Sequence, residues 1–178
     1  GRRGSGLAVR YGDRKKNQGL SPKEIYKFVS DRIYGQDRAV KAATMLLYNH
    51  IHAHKRNILF AGPTGCGKTE IWRVMSRLYP NIRIIDSTML TMQGWSGSFK
   101  VRDIFSSMSQ EEAEKAIIVF DEFDKFCEPL YGSNGTNYGA AAQNELLKLI
   151  EGGQIYFPAD KGKPALELDS SGISFVFC

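Results

Sequence analysis

The sequence predicts an α/β fold: a doubly wound, mostly parallel sheet with flanking helices. Strand-like and helix-like segments alternate along the chain, as they do in parallel sheets whose strands are joined by crossover helices. Residues 116–120 form a continuous apolar run, which is typical of a strand buried on both faces. A Gly-rich turn joins a second apolar run, residues 57–61, directly to a helical pattern.

Two helices are predicted before the first strand. Ser21, Pro22 and Glu24 carry the signature of a helix start: a hydroxyl cap, a proline at the first helical position and a glutamate three residues after the cap. This helix is expected to end near residue 32. Asp37 is the expected cap of the second helix, whose apolar residues follow the helical period to about residue 55.

The remaining elements follow from apolar runs and from turn residues. Pro80 closes the helix after the Gly-rich turn, and Gly152-Gly153 stops a later amphipathic helix. Ser109 and Glu112 have the form of a capping box. The predicted strands are 57–61, 82–85, 116–120 and 173–178, with a hairpin over 154–168; the predicted helices are 68–78, 100–108, a stretch after Ser109, and 140–150.

The net charge of +5 lies entirely in residues 1–20, so residues 21–178 are neutral. We interpret residues 1–20 as a basic, disordered, solvated head; an arm that touches nucleic acid or an acidic partner is the alternative. The neutral body makes nucleic acid an unexpected main partner. No apolar run approaches the length needed to span a bilayer.

The cysteine pattern predicts a reducing compartment. The three cysteines are neither paired in a disulfide framework nor spaced as a zinc site, which favours a cytoplasmic location. His50 and His54 share a helix face, but without a third ligand nearby we interpret them as a polar helix end.

A phosphate-binding loop is the strongest motif in the chain. Its pattern, Gly-x-x-x-x-Gly-Lys-Thr, lies between a strand and a helix, where backbone N–H groups and the positive end of the helix surround phosphate oxygens. Lys68 is expected to reach the β- and γ-phosphates of ATP, and the Thr69 hydroxyl to ligate Mg²⁺. The predicted phosphate-binding residues are Gly62, Pro63, Thr64, Gly65, Cys66, Gly67, Lys68 and Thr69.

Two carboxylates follow the buried strand 116–120. Asp121 is placed to hold Mg²⁺ through water, and Glu122 to orient and deprotonate the attacking water. Because ligands bind at the carboxyl ends of strands in open α/β sheets, both acids are expected beside the phosphate loop. Two carboxylates with different tasks predict a hydrolase, with Glu122 and Lys68 as its catalytic residues.

Several further stretches make the sequence resemble the AAA+ ATPases, and among them the ClpX group of protein unfoldases, with the HslU unfoldases next. Ile33, Tyr34, Gly35 and Gln36 resemble the Val-Ile-Gly-Gln box that borders the adenine in those proteins. The other matching stretches are Tyr48 to His50, Asn57 to Leu59, Asp121 to Lys125 and Leu146 to Gly152.

The resemblance implies a pore loop. Gly94, Trp95, Ser96 and Gly97 fall where that family carries Gly-Tyr-Val-Gly, whose aromatic residue grips a translocating polypeptide. Tryptophan replaces tyrosine and serine replaces valine, and an aromatic side chain between glycines still presents a large apolar face. The alternative is a tryptophan that packs under a loop.

The resemblance also implies a function and a set of partners. We expect an ATP-dependent unfoldase subunit that works in a ring, as a hexamer, on unfolded or tagged proteins, with a ClpP-like peptidase as a possible partner in protein degradation. Residues 21–178 would be most of one large ATPase subdomain, with the last strand, the small subdomain and the arginine finger beyond Cys178, so the isolated piece would hydrolyse ATP weakly. The alternatives are a nucleic-acid-associated motor, such as a loader or helicase, and a nucleotide-gated adaptor without unfolding activity.

Overall fold

The computed structural model describes residues 19–62, 65–90, 99–129, 131, 138–160 and 162–178. Its main sheet holds four parallel strands in the order β1-β6-β3-β2, and a separate antiparallel pair is formed by β4 and β5. The strands are β1 (Asn57–Leu59), β2 (Ile82–Asp86), β3 (Ile117–Asp121), β4 (Gln154–Phe157), β5 (Leu166–Asp169) and β6 (Ser174–Phe177).

Helices flank the sheet, and the predicted α/β class is therefore confirmed. They are α1 (Pro22–Ser30), α2 (Asp37–Ile51), α3 (Lys68–Met75), α4 (Gln110–Glu114), α5 (Phe123–Phe126) and α6 (Tyr138–Glu151), with 3₁₀ turns at Ser87–Met89, Val101–Phe105 and Ser170–Gly172. Within the described residues, every helix is too short or too polar to cross a lipid bilayer.

Strand β3 separates two hydrophobic cores. Ile117 and Val119 enter the core that contains α1, α2 and α3, whereas Ile118 and Phe120 enter the core beneath α6 and the β4–β5 hairpin. Side chains alternate between the faces of a strand, so a strand covered on both faces must be apolar throughout. The continuous apolar run in the sequence is thus explained by burial on both sides.

Parallel pairing brings the functional strand ends to one edge of the sheet. Asp86 at the end of β2 pairs in register with Asp121 at the end of β3, and Phe120 pairs with Phe177 of β6. The neighbouring strand β1 leads directly into the Gly-rich loop and α3. The loop and the acidic residues are thereby gathered at the carboxyl edge.

The start of α1 is as predicted, but the start and end of α2 are not. The Ser21 hydroxyl accepts the Glu24 N–H, and the Glu24 carboxylate accepts the Ser21 N–H at 2.7 Å, which completes the capping box. The prediction of Asp37 as a cap is wrong: Gln36 occupies the cap position, and the Asp37 carboxylate accepts hydrogen bonds from Tyr26 and from Lys41. The helix ends at Ile51, four residues before the predicted end.

The predicted helix over residues 100–108 is a short 3₁₀ segment, Val101–Phe105, all five residues of which are buried. Polar side chains of this segment, and of Lys100 just before it, contact the tip of the β4–β5 hairpin. The Arg102 guanidinium donates to the carbonyls of Pro158 and Pro164, Lys163 donates to Asp103 at 2.6 Å, and Lys100 pairs with Asp160. These tertiary contacts set the backbone conformation of the segment. The spacing of apolar residues in the sequence does not reveal them.

Candidate nucleotide-binding site

The Gly-rich loop leaves β1 and ends where α3 begins, at Lys68. Gly65 and Gly67 have φ values of 78° and 86°, in the left-handed region that side chains other than glycine avoid. Gly67 lies immediately before the helix, so the N–H groups of the first helical turn point into the loop. Pro63 and Thr64, also predicted to bind phosphate, lie outside the described residues.

The Lys68 side chain curls back over this loop. Its Nζ donates to the Gly62 carbonyl at 2.7 Å. The ammonium group therefore lies beside the first residue of the loop, and both residues line the same cavity, where a phosphate chain would be held by such donors. This position fits the predicted role of Lys68.

The phosphate loop and the end of β3 are joined by one hydrogen bond. The Thr69 hydroxyl donates to Asp121 Oδ1 at 2.6 Å, and the Glu122 N–H donates to the same carboxylate oxygen at 3.1 Å. A hydroxyl oxygen and a carboxylate are ligands that suit Mg²⁺. The donor set thus fits the predicted metal, with Thr69 and Asp121 as the residues that would hold it.

Glu122 has an unusual backbone conformation. Its φ of 56° and ψ of 34° place a non-glycine residue in the left-handed region. Such conformations cost about 1–3 kcal/mol and persist where the surrounding structure imposes them, commonly at functional sites. The carboxylate of Glu122 forms an ion pair with Lys125 on the first turn of α5.

A cavity of about 680 Å³ connects these groups, a volume suited to a small-molecule ligand. The described phosphate-loop residues line one side, and Asp121, Glu122, Phe123 and Asp124 line another. Arg73, Asp121 and Glu122 also border a second cavity of about 500 Å³, together with Ile84, Asp86, Thr88 and Lys125. The two predicted carboxylates therefore stand between two cavities.

The predicted adenine box meets the phosphate loop through one residue. The Gln36 side-chain nitrogen lies 3.4 Å from the position that a Cβ on Gly67 would occupy. Ile33 is half-buried against the first core, Gly35 has a φ of 73°, and Tyr34 is 88% exposed. The role of these four residues in holding adenine stays a prediction.

Sequence reasoning missed two cysteines at this site. All three cysteines of the chain, Cys66, Cys127 and Cys178, line the nucleotide cavity. Burial raises the pKa of the Cys178 thiol to about 11, and Asp121 adds to the shift. Cys178 directly follows β6, so the rule that parallel strand ends meet at one edge could have placed it.

The predicted pore loop, residues 94–97, lies outside the described residues.

Two comparisons bear on the identity of this site. The model of the AAA family, described as "ATPase family associated with various cellular activities", matches residues 58–163. The chain is also similar to the ATP-dependent Clp protease ATP-binding subunit ClpX from two strains of Porphyromonas gingivalis, with 30% identity in each case. Each alignment covers 87% of this chain and 44% of the relative, so the chain spans less than half the length of those proteins. On the family match, the chain belongs to the AAA family of ATPases, and within that family it is similar to ClpX.

Proposed function

We propose that the chain is the ATP-hydrolysing part of a ClpX-like unfoldase subunit, which couples hydrolysis of Mg²⁺-ATP to the pulling of a polypeptide. The observation that supports the hydrolytic part best is the hydrogen bond between Thr69 and Asp121. It joins the phosphate loop to the strand that carries Glu122, so the groups that bind phosphate and the group that would activate water share one cavity.

The residues of the chain divide the work by position. The N–H groups of the loop and the Lys68 ammonium bind and orient the phosphate chain. Thr69 and Asp121 would hold Mg²⁺, which would neutralise charge on the phosphoryl oxygens. Because Thr69 and Asp121 already contact each other, little reorganisation separates this arrangement from a metal-binding one.

Glu122 is the proposed general base. Glu122 lines the nucleotide cavity next to Asp121 and directly follows β3. A base at this place can accept a proton from a water that attacks the terminal phosphate. The left-handed backbone of Glu122 turns the chain sharply at the strand end, which supports a role that depends on where its side chain points.

The similarity to ClpX supports the finer part of the proposal. The name of those relatives describes an ATP-binding subunit of an ATP-dependent protease. We accordingly propose a hexameric ring that acts in the cytoplasm on unfolded or tagged proteins, with a ClpP-like peptidase as partner and Trp95 in the pore. An arginine from a neighbouring subunit would complete each site, and such a finger contributes about 10³–10⁵ in rate.

Two substitutions test the hydrolytic part. Glu122→Gln should retain ATP binding and lose turnover by about 10²–10⁴, the usual contribution of a general base. Lys68→Ala should lose binding itself, because it removes the cation beside the loop. Fluorescent-nucleotide titration measures binding and phosphate release measures turnover, both in the intact protein.

Matched controls separate these effects from a general loss of charge. Glu111→Gln removes a carboxylate from an exposed pair with Lys115, and Lys27→Ala removes an exposed ammonium paired with Asp31. Both should behave as the wild type. Normal turnover by Glu122→Gln would show that another group is the base, and normal binding by Lys68→Ala would refute the assigned phosphate site.

A further inference from the structure

The carboxylate proposed as the general base is engaged by a lysine on the next helix. Lys125 Nζ forms an ion pair with Glu122 Oε2, and the Lys125 N–H donates to the Glu122 carbonyl at 3.1 Å. The two residues are one helical turn apart, at the start of α5. The turn of the helix therefore fixes the lysine within reach of the carboxylate.

Both partners of this ion pair border the second cavity, and only Glu122 also borders the nucleotide cavity. Glu122 borders both the nucleotide cavity and the second cavity, whereas Lys125, among the described residues, lines only the second. The ion pair therefore ties the carboxylate of Glu122 to a lysine that lines the second cavity and not the nucleotide cavity. A carboxylate engaged by this ammonium group is a weaker proton acceptor, so it must leave the ion pair to act fully on a water in the nucleotide cavity.

Other acidic groups keep the lysine charged and in place. The hydrogen bond to Glu122 raises the pKa of Lys125 first of all, and the nearby carboxylates of Asp124 and Asp86 raise it further. Asp86 is itself fixed, because its carboxylate accepts the Thr88 N–H at 3.0 Å and the Thr88 hydroxyl at 2.6 Å. Lys125 therefore remains a cation at neutral pH, facing the second cavity.

We propose that Lys125 is a positioning residue that holds Glu122 in a resting orientation and thereby restrains ATP hydrolysis until the carboxylate is released. The proposal rests on the proposed role of Glu122 as the base. The restraint is weak because Lys125 is 52% exposed and Glu122 is 33% exposed, so water competes for both partners. An ion pair of this kind shifts an equilibrium by up to about fivefold.

The test compares basal ATP turnover at saturating nucleotide in the intact protein. Lys125→Met should raise turnover by about two- to fivefold with nucleotide affinity unchanged, because the base no longer spends time in the ion pair. Lys125→Arg, which keeps the cation, should stay closer to the wild type. Lys115→Met is the matched control: Lys115 is 53% exposed and pairs with Glu111 at 2.9 Å, and it precedes β3, whereas Asp121 and Glu122 lie at the other end of that strand.

The change of ATP turnover with salt concentration distinguishes this restraint from a purely structural role of Lys125. Raising ionic strength screens a partly exposed ion pair, so wild-type turnover should rise toward that of Lys125→Met, while the variant itself responds less. Unchanged or reduced turnover in Lys125→Met, or equal salt responses, would overturn the restraint. If the wild type and Glu122→Gln hydrolyse ATP equally, the proposed base fails and the restraint fails with it.

Discussion

His50 provides a pH-dependent test of the fold, because it is a histidine that the core holds in its neutral form. It lies on α2 with 8% of its surface exposed. Its Nε2 stands 2.9 Å from the Lys115 carbonyl, and its Nδ1 stands 2.8 Å from the Ser174 hydroxyl. Since a carbonyl only accepts, Nε2 must carry the proton and Nδ1 must accept from Ser174. The Ser174 oxygen in turn accepts the Arg56 N–H at 3.1 Å, so the neutral ring is fully satisfied.

The sign of the effect follows from the direction of the shift. Burial lowers the pKa of His50 below its ordinary value of 6.5, although the hydrogen bond to Lys115 opposes this. Below pH 6.5 the unfolded chain therefore binds a proton at His50 that the folded chain does not. Stability contributed by the neutral histidine is present above pH 6.5 and is lost as the pH falls toward the folded pKa.

The size of the effect has a ceiling. At a pH one unit below the unfolded pKa, protonation of the unfolded histidine alone can lower the free energy of unfolding by at most about 1.4 kcal/mol. For a chain of 178 residues this corresponds to roughly 3–6 °C in melting temperature. Larger losses over the same range would require additional groups to titrate.

Urea denaturation at pH 7.5, 6.5 and 5.5 measures this loss. His50→Gln, which can still donate to the Lys115 carbonyl but does not titrate, should be less stable at pH 7.5 and should lose most of the dependence on pH. His54→Gln changes an exposed histidine just beyond the same helix and should keep the wild-type slope. A wild-type stability that is flat between pH 7.5 and 5.5, or a His50→Gln variant with the full slope, would refute the reasoning.

Two further predictions concern the segment before α4 and the loop that precedes it. Arg102→Met removes two charge-assisted hydrogen bonds to the carbonyls of Pro158 and Pro164 and should cost about 2 kcal/mol, or roughly 4–8 °C in melting temperature by calorimetry. The exposed Arg38→Met is its control, and equal melting temperatures for the two variants would contradict the role of Arg102. Trp95→Ala in the assembled protein should retain ATP turnover and lose substrate unfolding, while Trp95→Phe should keep both; unfolding at the wild-type rate by the alanine variant would reject Trp95 as the gripping residue.

Most of the sheet could be predicted because each strand can be recognised from its own short run of apolar residues. The run before Asp121 is apolar on both faces, and its alternate residues enter two different cores. The capping box at Ser21 and Glu24 is likewise a local signal with a local cause. Elements decided by nearby residues in sequence were therefore predictable to within a few residues.

Where long-range contacts decide, prediction failed. Asp37 has the composition of a cap, but the Tyr26 hydroxyl, eleven residues earlier, engages its carboxylate. The segment Val101–Phe105 has helical spacing, yet the hairpin tip about sixty residues later determines its conformation through Arg102. A stretch of sequence short enough to show a helical period does not include partners that lie so far along the chain.

The candidate site divides along the same line. The loop could be predicted because glycine is required where φ is positive, as at Gly67, and because lysine must follow at the helix start. The relation between Glu122 and Lys125 could not, since an acid and a lysine three residues apart on a helix are common and carry no information about the cavities they face. Which cavity each side chain borders depends on how the strand ends are assembled, and the local sequence does not show this.

The register of the sheet places the end of β2 beside the strand that leads to the proposed base. Asp86 pairs with Asp121, so the end of β2 stands directly beside the acidic end of β3. Only the 3₁₀ turn lies between Asp86 and Leu90, and Leu90 forms a parallel bridge with Phe99. Immediately after that bridge, Lys100 is anchored to the hairpin tip. The described residues on either side of 91–98 are thus fixed: Leu90 lies four residues after the strand end beside the proposed base, and Lys100 is held by its ion pair with Asp160.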